Sequence, residues 1–466
     1  MKVATIGAGL IGVNSACELS AAGHQVTLFE RCASVAAEAS FANARLIAPG
    51  YVMPWAAPGM PGTVVRHVFR RHTPVRLRSG LSRNAVAWLW PRWRACRAPT
   101  YRANRLRMQR LAGCSRKQLH ELTHDLKLGC ELTDGGLGLL RSAKELALAE
   151  PAVALLGESN GRVDIPDPAQ CLATEPGLNP YTSSHAGIHL PDGEVGNCHQ
   201  FAHLLRHEAQ QFGARFRFDP DMSRISGGPQ PSRVRTCAPP EDSGRLTVHG
   251  EAQLRTAHDT LPMPSRPITE ALDAIVVCAA LGAAALRPQH GLTLPSQALH
   301  GYSITALSRT HEAHPSHGPR SAVTDGCSKV AISRFDVRVR AAGGADIVGA
   351  LADHHDGAIT TPHKVLHDWF PGAARRSQVQ RWKGARPMLP AGPTARRCSR
   401  AAASTAAGST AAASTAAGST AAAMAPAARR WPAVRPVCWP TAWPAEPPPS
   451  TPMAGASNGS CPDVRS

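Results

Sequence analysis

Three glycines near the N-terminus have the spacing of a phosphate-binding turn. Gly7, Gly9 and Gly12 follow a short apolar segment and precede a run rich in small residues that ends at Gly23. In a strand–turn–helix unit, the first glycine permits the tight turn and the second lets a pyrophosphate approach the backbone. The third lets the helix pack closely on the sheet. The N-terminus of that helix would present unpaired N–H groups and a positive dipole end to the phosphates.

An acidic residue stands where such a unit needs one. Glu30 ends a second apolar segment, residues 25–30, where its carboxylate could accept hydrogen bonds from a ribose diol. The sequence therefore predicts a βαβ unit that binds an adenine dinucleotide. The motif alone leaves FAD and NAD both open, and the alternative is a βαβ unit with a glycine turn and no ligand.

A second segment has the composition of a nucleotide-site strand. Residues 271–282 form an apolar run that continues into small residues, among them Ala279 and Gly282. Small side chains permit a ligand to approach the backbone closely. The alternative for this segment is a central strand without a binding role.

The charge is strongly positive, with a formal net charge of +18 and a pI near 9.9. Residues 66–120 contain no Asp or Glu but many arginines, with Trp88, Trp90 and Trp93 among them. Basic residues with interfacial aromatics suit an anionic membrane surface, and they would also suit nucleic acid. A solvated helical face is the third interpretation. No nucleic-acid-binding motif accompanies the charges, so we predict no nucleic-acid partner.

The cysteines and the apolar segments indicate the cellular compartment of the protein and whether it binds a metal. The 13 cysteines include no CxxC pair and no zinc spacing, which predicts free thiols and no metal site. The N-terminus enters an apolar strand at once, and no apolar run is long enough to cross a bilayer. These features predict a protein of the cytoplasmic side, either soluble or peripheral on the inner face of the cell membrane.

The C-terminal tail has an unusual composition. From residue 391 onward the chain contains no Leu, Ile, Phe, Tyr or Lys, and residues 401–410 repeat as residues 411–420. Such a segment cannot build a packed core. One interpretation is a native linker and extension. The composition favours the other, a shifted reading frame in a GC-rich gene.

Residues 1 to about 393 resemble the small subunit of D-amino acid dehydrogenase, a family of flavoenzymes in the D-amino acid oxidase and glycine oxidase superfamily. The motifs that carry this resemblance are more specific than the glycine turn. They lie at residues 42–43, 48–51, 54–59, 191–192, 196–198, 301–303, 329–334 and 384–388.

The resemblance implies an α/β (α+β) fold with a Rossmann-like FAD-binding domain and a substrate domain built on a mixed or antiparallel sheet. The FAD-binding domain would comprise residues 1–85 and 191–290, with an insertion at 229–266. The substrate domain would comprise residues 86–190 and 291–385. Residues 386–466 would form an irregular low-complexity tail.

The resemblance also implies FAD rather than NAD as the cofactor. The predicted cofactor-binding residues are Val3, Ala4, Thr5, Ile6, Gly7, Ala8, Gly9, Leu10, Ile11, Gly12, Val13, Asn14, Ser15, Ala16, Cys17, Glu30, Arg31, Ser40, Asn43, Ala279 and Gly282.

The activity that the resemblance implies is oxidative deamination of D-amino acids, D-alanine especially, to a 2-oxo acid and ammonia. Electrons would pass to a membrane quinone or another acceptor. A substrate carboxylate suits an arginine fork, because the guanidinium binds it at two points. Arg386 is the first candidate, Tyr302 could add a hydroxyl to the same carboxylate, and Arg334 is a further candidate. The alternatives are a structural ion pair for Arg386 and a core aromatic for Tyr302.

Three departures from the family pattern leave other hypotheses open. Arg45 stands where the family has glycine, Ser328 replaces an aromatic residue, and the family's C-terminal Gly-His-Gly segment is missing. One alternative is an inactive remnant that retains the dinucleotide fold. Others are a glycine oxidase-like or other amine-oxidising flavoenzyme, and an NAD-binding protein with a basic membrane-docking surface.

Overall fold

The computed structural model describes residues 1–49, 54, 56–59, 75–77, 83–157, 162–218, 220–227, 246–252, 266–284, 286, 297–309, 318–347, 356–388, 403–405 and 421–424. The α-helices are α1 (Leu10–Ala21), α2 (Arg83–Ala95), α3 (Ala98–Asp125), α4 (Ala143–Gly157), α5 (Pro168–Thr174), α6 (Cys198–Gln211) and α7 (Asp356–Trp369). The first ten strands are β1 (Lys2–Ile6), β2 (Gln25–Glu30), β3 (Leu46–Ile47), β4 (Val75–Leu77), β5 (Leu132–Asp134), β6 (Gly136–Leu140), β7 (Ala186–His189), β8 (Glu194–Gly196), β9 (Arg215–Phe218) and β10 (Pro220–Gly227). The others are β11 (Leu246–Ala252), β12 (Arg266–Leu272), β13 (Ala274–Val277), β14 (Gln297–Ser308), β15 (Ala322–Asp325), β16 (Val330–Phe335), β17 (Arg338–Ile347), β18 (Ala374–Met388), β19 (Ala403–Thr405) and β20 (Ala421–Met424).

The N-terminal motif forms the centre of a parallel sheet. Strand β1 pairs in parallel with β2 on one side and β13 on the other, and β2 pairs in parallel with β9. The strands are buried on both faces: α1 and α6 pack against one face, and Met222 of β10 and Leu272 of β12 pack against the other. This burial explains their continuous apolar composition. The predicted βαβ unit is confirmed, and the turn after β1 lies at the carboxyl end of the sheet, where α/β folds bind ligands.

A second, larger sheet carries the C-terminal half of the described chain. Its strand order is β18-β14-β17-β16-β15-β6-β7, and β4 pairs with β17. Most neighbours are antiparallel, but β15 with β6 and β17 with β4 are parallel. Helix α7 packs on one face through Ile359, Val365, Leu366 and Trp369. The predicted α/β class, with one Rossmann-like sheet and one mixed sheet, is confirmed.

Two segments differ from the predicted absence of regular structure. Strand β11 lies inside the predicted insertion at 229–266, and its residues alternate between apolar or small and polar, as strands do. In the tail, β20 pairs antiparallel with β13, and β19 pairs with β20. A β-ladder needs only backbone groups, so short alanine-rich segments can join it although they cannot build a core. Strand β18 also continues through Met388, beyond the boundary predicted at 386.

In the basic segment, residues 66–120, some of the tryptophans and arginines are exposed and others are buried. Trp90 and Trp93 are exposed, but Trp88 is buried and donates from Nε1 to the carbonyl oxygen of Met388 at 3.0 Å. Arg92 and Arg105 are buried as well. Arginines 66, 70, 71 and 78 lie outside the described residues. Among the helices that the structure describes, none is both long and apolar enough to span a membrane.

The cysteines that the structure describes are free thiols with one exception. Those at 17, 32, 96, 130, 171, 198, 278 and 327 are free thiols. Cys114, on α3, is in a disulfide bond, so the prediction that all cysteines are free is wrong at that position. Within the described part of the chain, no group of three or more His, Cys, Asp or Glu side chains could hold a metal ion.

Candidate cofactor and substrate site

The three glycines of the turn each meet a different constraint. Gly7 has a φ of +101°, and a Cβ added to it would lie 2.6 Å from the carbonyl oxygen of Cys278. A Cβ on Gly12 would lie 1.8 Å from the carbonyl oxygen of Gly7, so the helix can start here only with glycine. A Cβ on Gly9 would meet only Ser40 Oγ, at 3.7 Å. Gly9 is therefore the position where the protein leaves space beside the backbone, as a bound pyrophosphate requires.

The start of α1 is held by the segment that follows β2. Ser40 Oγ accepts a hydrogen bond from the backbone N–H of Leu10 at 3.3 Å, and the Ala36 N–H donates to the Ala8 carbonyl at 2.9 Å. These contacts place Ser40 directly above the glycine turn. The long separation of 3.3 Å leaves a weak hydrogen bond that an anionic oxygen at the helix N-terminus would replace.

Glu30 lies beside the turn, at the end of β2. Its Oε2 accepts from the Ala8 N–H at 2.5 Å and its Oε1 accepts from the Cys32 N–H at 2.9 Å. These bonds fix the carboxylate next to the glycine turn. Each carboxylate oxygen has two lone pairs, so one acceptor position remains on each for a ribose hydroxyl.

The other predicted cofactor residues converge on the same place from separate segments. A Cβ on Gly7 would be 3.0 Å from the Cα of Ala279, and one on Gly282 would be 4.0 Å from Arg31 Nη1. Arg31 itself pairs with Glu38. Strand β13 and the 3-10 turn after it, Ala280–Ala284, therefore border the site opposite α1.

Several of the predicted cofactor-binding residues lie in the core beneath the site, and their side chains do not face it. Their side chains are buried in the core between α1, α6 and the parallel sheet, or in the core on the other face of that sheet. They are Val3, Ala4, Ile6, Val13, Ala16 and Cys17. Burial raises the pKa of the Cys17 thiol to about 12, which keeps it neutral. Thr5 is also buried, Ser15 hydrogen-bonds the Cys278 thiol, and Ile11 and Asn14 are half-buried.

The larger sheet presents one face toward the segment that contains Asn43. Side chains alternate along β14, so Gly301, Ser303 and Thr305 share one face, which we call the site face. Arg340 of β17 donates from Nε to Thr305 Oγ1 at 2.9 Å and from Nη1 to the Asn43 carbonyl at 3.4 Å. The site face is thus joined directly to the predicted cofactor-binding segment.

Arg386 lies on the site face. It is opposite Leu299 in the β14–β18 ladder, and its guanidinium lies over Gly301. A Cβ on Gly301 would be 2.7 Å from Arg386 Nη2, so the guanidinium occupies the space that a side chain at residue 301 would take. Burial lowers the pKa of Arg386 to about 10. The side chain remains a cation at neutral pH.

Tyr302 and Arg334 lie on the opposite face of the same sheet. Tyr302 packs with Ile304 and Trp369 in the core against α7, and its hydroxyl donates to Asp346 Oδ2 at 2.7 Å. Arg334 follows Ile332 by two residues and therefore shares that face. Side chains alternate between the two faces of a strand, and both of these side chains lie on the face opposite Arg386. The structure therefore does not bring either residue to the guanidinium of Arg386.

Two arginines form a buried pair that the sequence did not indicate, although Arg45 stood out as a departure from the family pattern. Arg45 and Arg340 both stack on the ring of Phe335, with guanidinium-to-centroid distances of 3.7 and 5.0 Å. Arg45 is 1% exposed and also pairs with Glu131 at 3.2 Å. Its φ of +64° is left-handed, the conformation that favours the glycine of the family pattern. Arg340 carries no distinguishing signal in the sequence.

Burial dominates the electrostatics of this pair. It lowers the pKa of Arg45 to about 10 and that of Arg340 to about 9, and repulsion from Arg45 adds to the shift at Arg340. Both remain cations at neutral pH. Burial also raises the pKa of the adjacent Cys198 thiol to about 11, so this thiol is neutral and does not balance their charge.

Comparison with known proteins agrees with this geometry. The family model described as FAD dependent oxidoreductase matches residues 2–429. The chain belongs to this family, and FAD is its cofactor. The chain is 35% identical over 395 residues to a D-amino acid dehydrogenase of Rhizorhabdus wittichii, with 84% of this chain and 87% of the relative covered. It is 33% identical over 398 residues to a D-amino acid dehydrogenase of Vibrio vulnificus, with the same coverage.

Solved structures show the same fold. Glycine oxidase from Geobacillus kaustophilus superposes with a TM-score of 0.55 at 17% identity, covering 83% of this chain and 82% of that one. L-alpha-Glycerophosphate oxidase from Mycoplasma pneumoniae, with FAD bound, gives a TM-score of 0.53 at 16% identity over 83% of each chain. The glycine turn, Glu30 and the space beside Gly9 fit FAD. The chain is therefore an FAD-dependent oxidoreductase rather than an NAD-binding protein.

Proposed function

We propose that this chain oxidatively deaminates D-amino acids to 2-oxo acids and ammonia, with D-alanine as its preferred substrate. The curated relatives named D-amino acid dehydrogenase support this reaction. The observation that carries the proposal is the position of Arg386. Its guanidinium lies over Gly301, on the sheet face that contacts the cofactor-binding segment.

The chain's contribution to the reaction is binding and orientation. FAD, when bound, supplies a two-electron acceptor. The planar guanidinium of Arg386 holds the substrate carboxylate at two points, which restricts the direction of the Cα–H bond. The imino acid product hydrolyses in water, so the reaction needs no side chain that attacks it.

The test is a spectrum of the purified chain. A flavin absorption band that bleaches when D-alanine is added without oxygen, and does not bleach with L-alanine, would support the proposal. A flavin band that persists with D-alanine but bleaches with glycine would instead support an activity like that of a glycine oxidase. A chain that takes up no FAD would support the inactive remnant, which the tail composition suggests.

We further propose that the chain passes electrons to a quinone and contacts the cytoplasmic face of the membrane. Helix α2 exposes Trp90 and Trp93, whose rings pack edge to face at 5.3 Å. Exposed arginines at positions 94 and 97 follow them. Aromatic rings beside cationic side chains suit the interface of an anionic bilayer.

Sedimentation with vesicles tests this contact. Binding to vesicles that contain phosphatidylserine, weakened by salt and by the substitutions Trp90→Ala and Trp93→Ala, would support it. The substitution Tyr181→Ala removes an exposed aromatic ring on another part of the surface and is the control. Trp88 is unsuitable as a control because it is buried. Equal binding to neutral vesicles, or no binding to either, would exclude an electrostatic membrane contact.

A further inference from the structure

Among the described residues, the arginine pair around Phe335 has one carboxylate partner for two buried positive charges. Glu131 is the carboxylate partner of Arg45. Within the part of the chain that the structure describes, Arg340 has no carboxylate within 4 Å, and Nε and Nη1 of Arg45 have no hydrogen-bond acceptor. Burying a cation without a partner is costly, so this arrangement is suited to an anion that arrives with a ligand.

The polar lining of the site face points to the same place. The hydroxyl oxygens of Ser303 and Ser333 are buried there, and among the described residues neither has a hydrogen-bond partner. Ser333 is opposite Arg340 in the β16–β17 ladder, and Ser303 lies between the residues that contact Arg386 and Arg340. Buried hydroxyls without partners are uncommon in folded proteins, and ligand binding is one explanation for them.

The spacing of the two arginines indicates the length of the ligand. The guanidinium of Arg386 lies at Gly301 and the Nε of Arg340 lies at Thr305, four residues along β14 on the same face. Four strand residues span roughly 13 Å. With about 4 Å allowed for each arginine–carboxylate pair, roughly 5 Å remains between two bound carboxylate carbons. That separation suits two carboxylates joined by a three-carbon chain.

We infer that Arg340, backed by Arg45, binds a side-chain carboxylate, so that the site accepts acidic D-amino acids of the length of D-glutamate. Arg386 would hold the α-carboxylate, so the inference rests on the proposed function. Arg340, which is 9% exposed, would make the contact. Arg45, which is 1% exposed, lies over the same Phe335 ring and adds positive charge beside Arg340. This specificity extends the range of substrates beyond D-alanine.

The sharpest test compares two substrates of equal shape. D-Glutamate and D-glutamine differ by one charge, so the ratio of their kcat/KM values reports recognition of the carboxylate. We expect the holoenzyme to favour D-glutamate by at least roughly ten-fold. In Arg340→Met the ratio should fall to near one, and Arg340→Lys should restore part of it. Arg338→Ala removes an exposed charge on the same strand and should leave the ratio unchanged.

A second variant and a binding measurement separate this role from folding. Arg45→Gly relieves the left-handed conformation, so the fold should be kept while the ratio falls. Glutarate should raise the thermal unfolding midpoint of the holoenzyme more than its monoamide does, and Arg340→Met should abolish that difference. This readout needs no turnover.

Three outcomes would overturn the inference. The first is a wild-type ratio near one. The second is an equal stabilisation by glutarate and its monoamide. The third is that the Arg340 and Arg45 variants lose activity with both substrates and also lose bound FAD. That result would mean that the two arginines bind the cofactor. Bleaching by D-alanine in the same preparation tests the proposed function separately, because it does not require the second carboxylate.

Discussion

The glycine turn supports a prediction in which two neighbouring glycines behave in opposite ways. The substitution Gly9→Ala should leave the fold intact and weaken FAD binding. The substitution Gly12→Ala should destabilise the fold itself. The two changes add the same methyl group three residues apart, so each is the control for the other.

The magnitudes follow from the surroundings of each Cβ. At Gly9 the backbone has a φ of −64° and a ψ of 174°, which alanine adopts freely, and the nearest atom is Ser40 Oγ at 3.7 Å. Alanine should therefore stabilise the apoprotein by about 0.4–1 kcal/mol through the unfolded chain. At Gly12 the Cβ would lie 1.8 Å from the Gly7 carbonyl oxygen, and relieving this overlap should cost about 3 kcal/mol.

The assay uses apoprotein from which flavin has been removed. Urea unfolding gives the stability of each variant, and titration with FAD followed by flavin fluorescence gives the affinity. We expect Gly9→Ala to weaken FAD binding by at least ten-fold, about 1.4 kcal/mol, because the methyl group would occupy the approach of the pyrophosphate. A Gly9→Ala variant that binds FAD as tightly as the unmodified chain would refute this placement of the phosphates.

Three further predictions follow from the site and the core. Arg386→Lys should lower kcat/KM for D-alanine by at least roughly ten-fold, mainly through KM, because an ammonium lacks the two-point fork; an unchanged KM would remove Arg386 from carboxylate binding. Asp325 is fully buried and accepts from Arg141 and Trp369, so Asp325→Asn should cost about 3 kcal/mol in urea unfolding, whereas the exposed Asp336→Asn should cost little. Burial lowers the pKa values of His199 and His203 below 6.5, so their contribution to stability is complete above pH 6.5 and falls as the pH drops below it. Replacing both histidines with glutamine should reduce the fall of the thermal unfolding midpoint between pH 7 and pH 5. An unchanged dependence of the midpoint on pH would assign the acid sensitivity to other groups.

Local patterns were sufficient for the dinucleotide-binding half. The residues from β1 to Glu30 are contiguous, and each step of the motif constrains its neighbour through the turn, the helix and the second strand. The positive φ of Gly7 and the close approach at Gly12 are requirements that only glycine meets, so the sequence alone indicated their roles.

The substrate half depended on the tertiary structure. Arg386, Tyr302 and Arg334 all lie in motifs of the family, but the motifs do not show which face of the sheet each side chain occupies. Register decides that, since a shift of one residue exchanges the two faces. The observed ladders place Arg386 over Gly301 and leave Tyr302 and Arg334 against α7.

The sequence by itself determined that the chain has a Rossmann-like βαβ unit with a dinucleotide turn, because that unit is built from contacts between residues close in the chain. Only the tertiary structure decided that Arg45 and Arg340, 295 positions apart in the numbering, share one phenyl ring. Their charges carry no local pattern. Their two positive charges are buried together only when the segment after β2 meets the larger sheet and excludes water from both arginines.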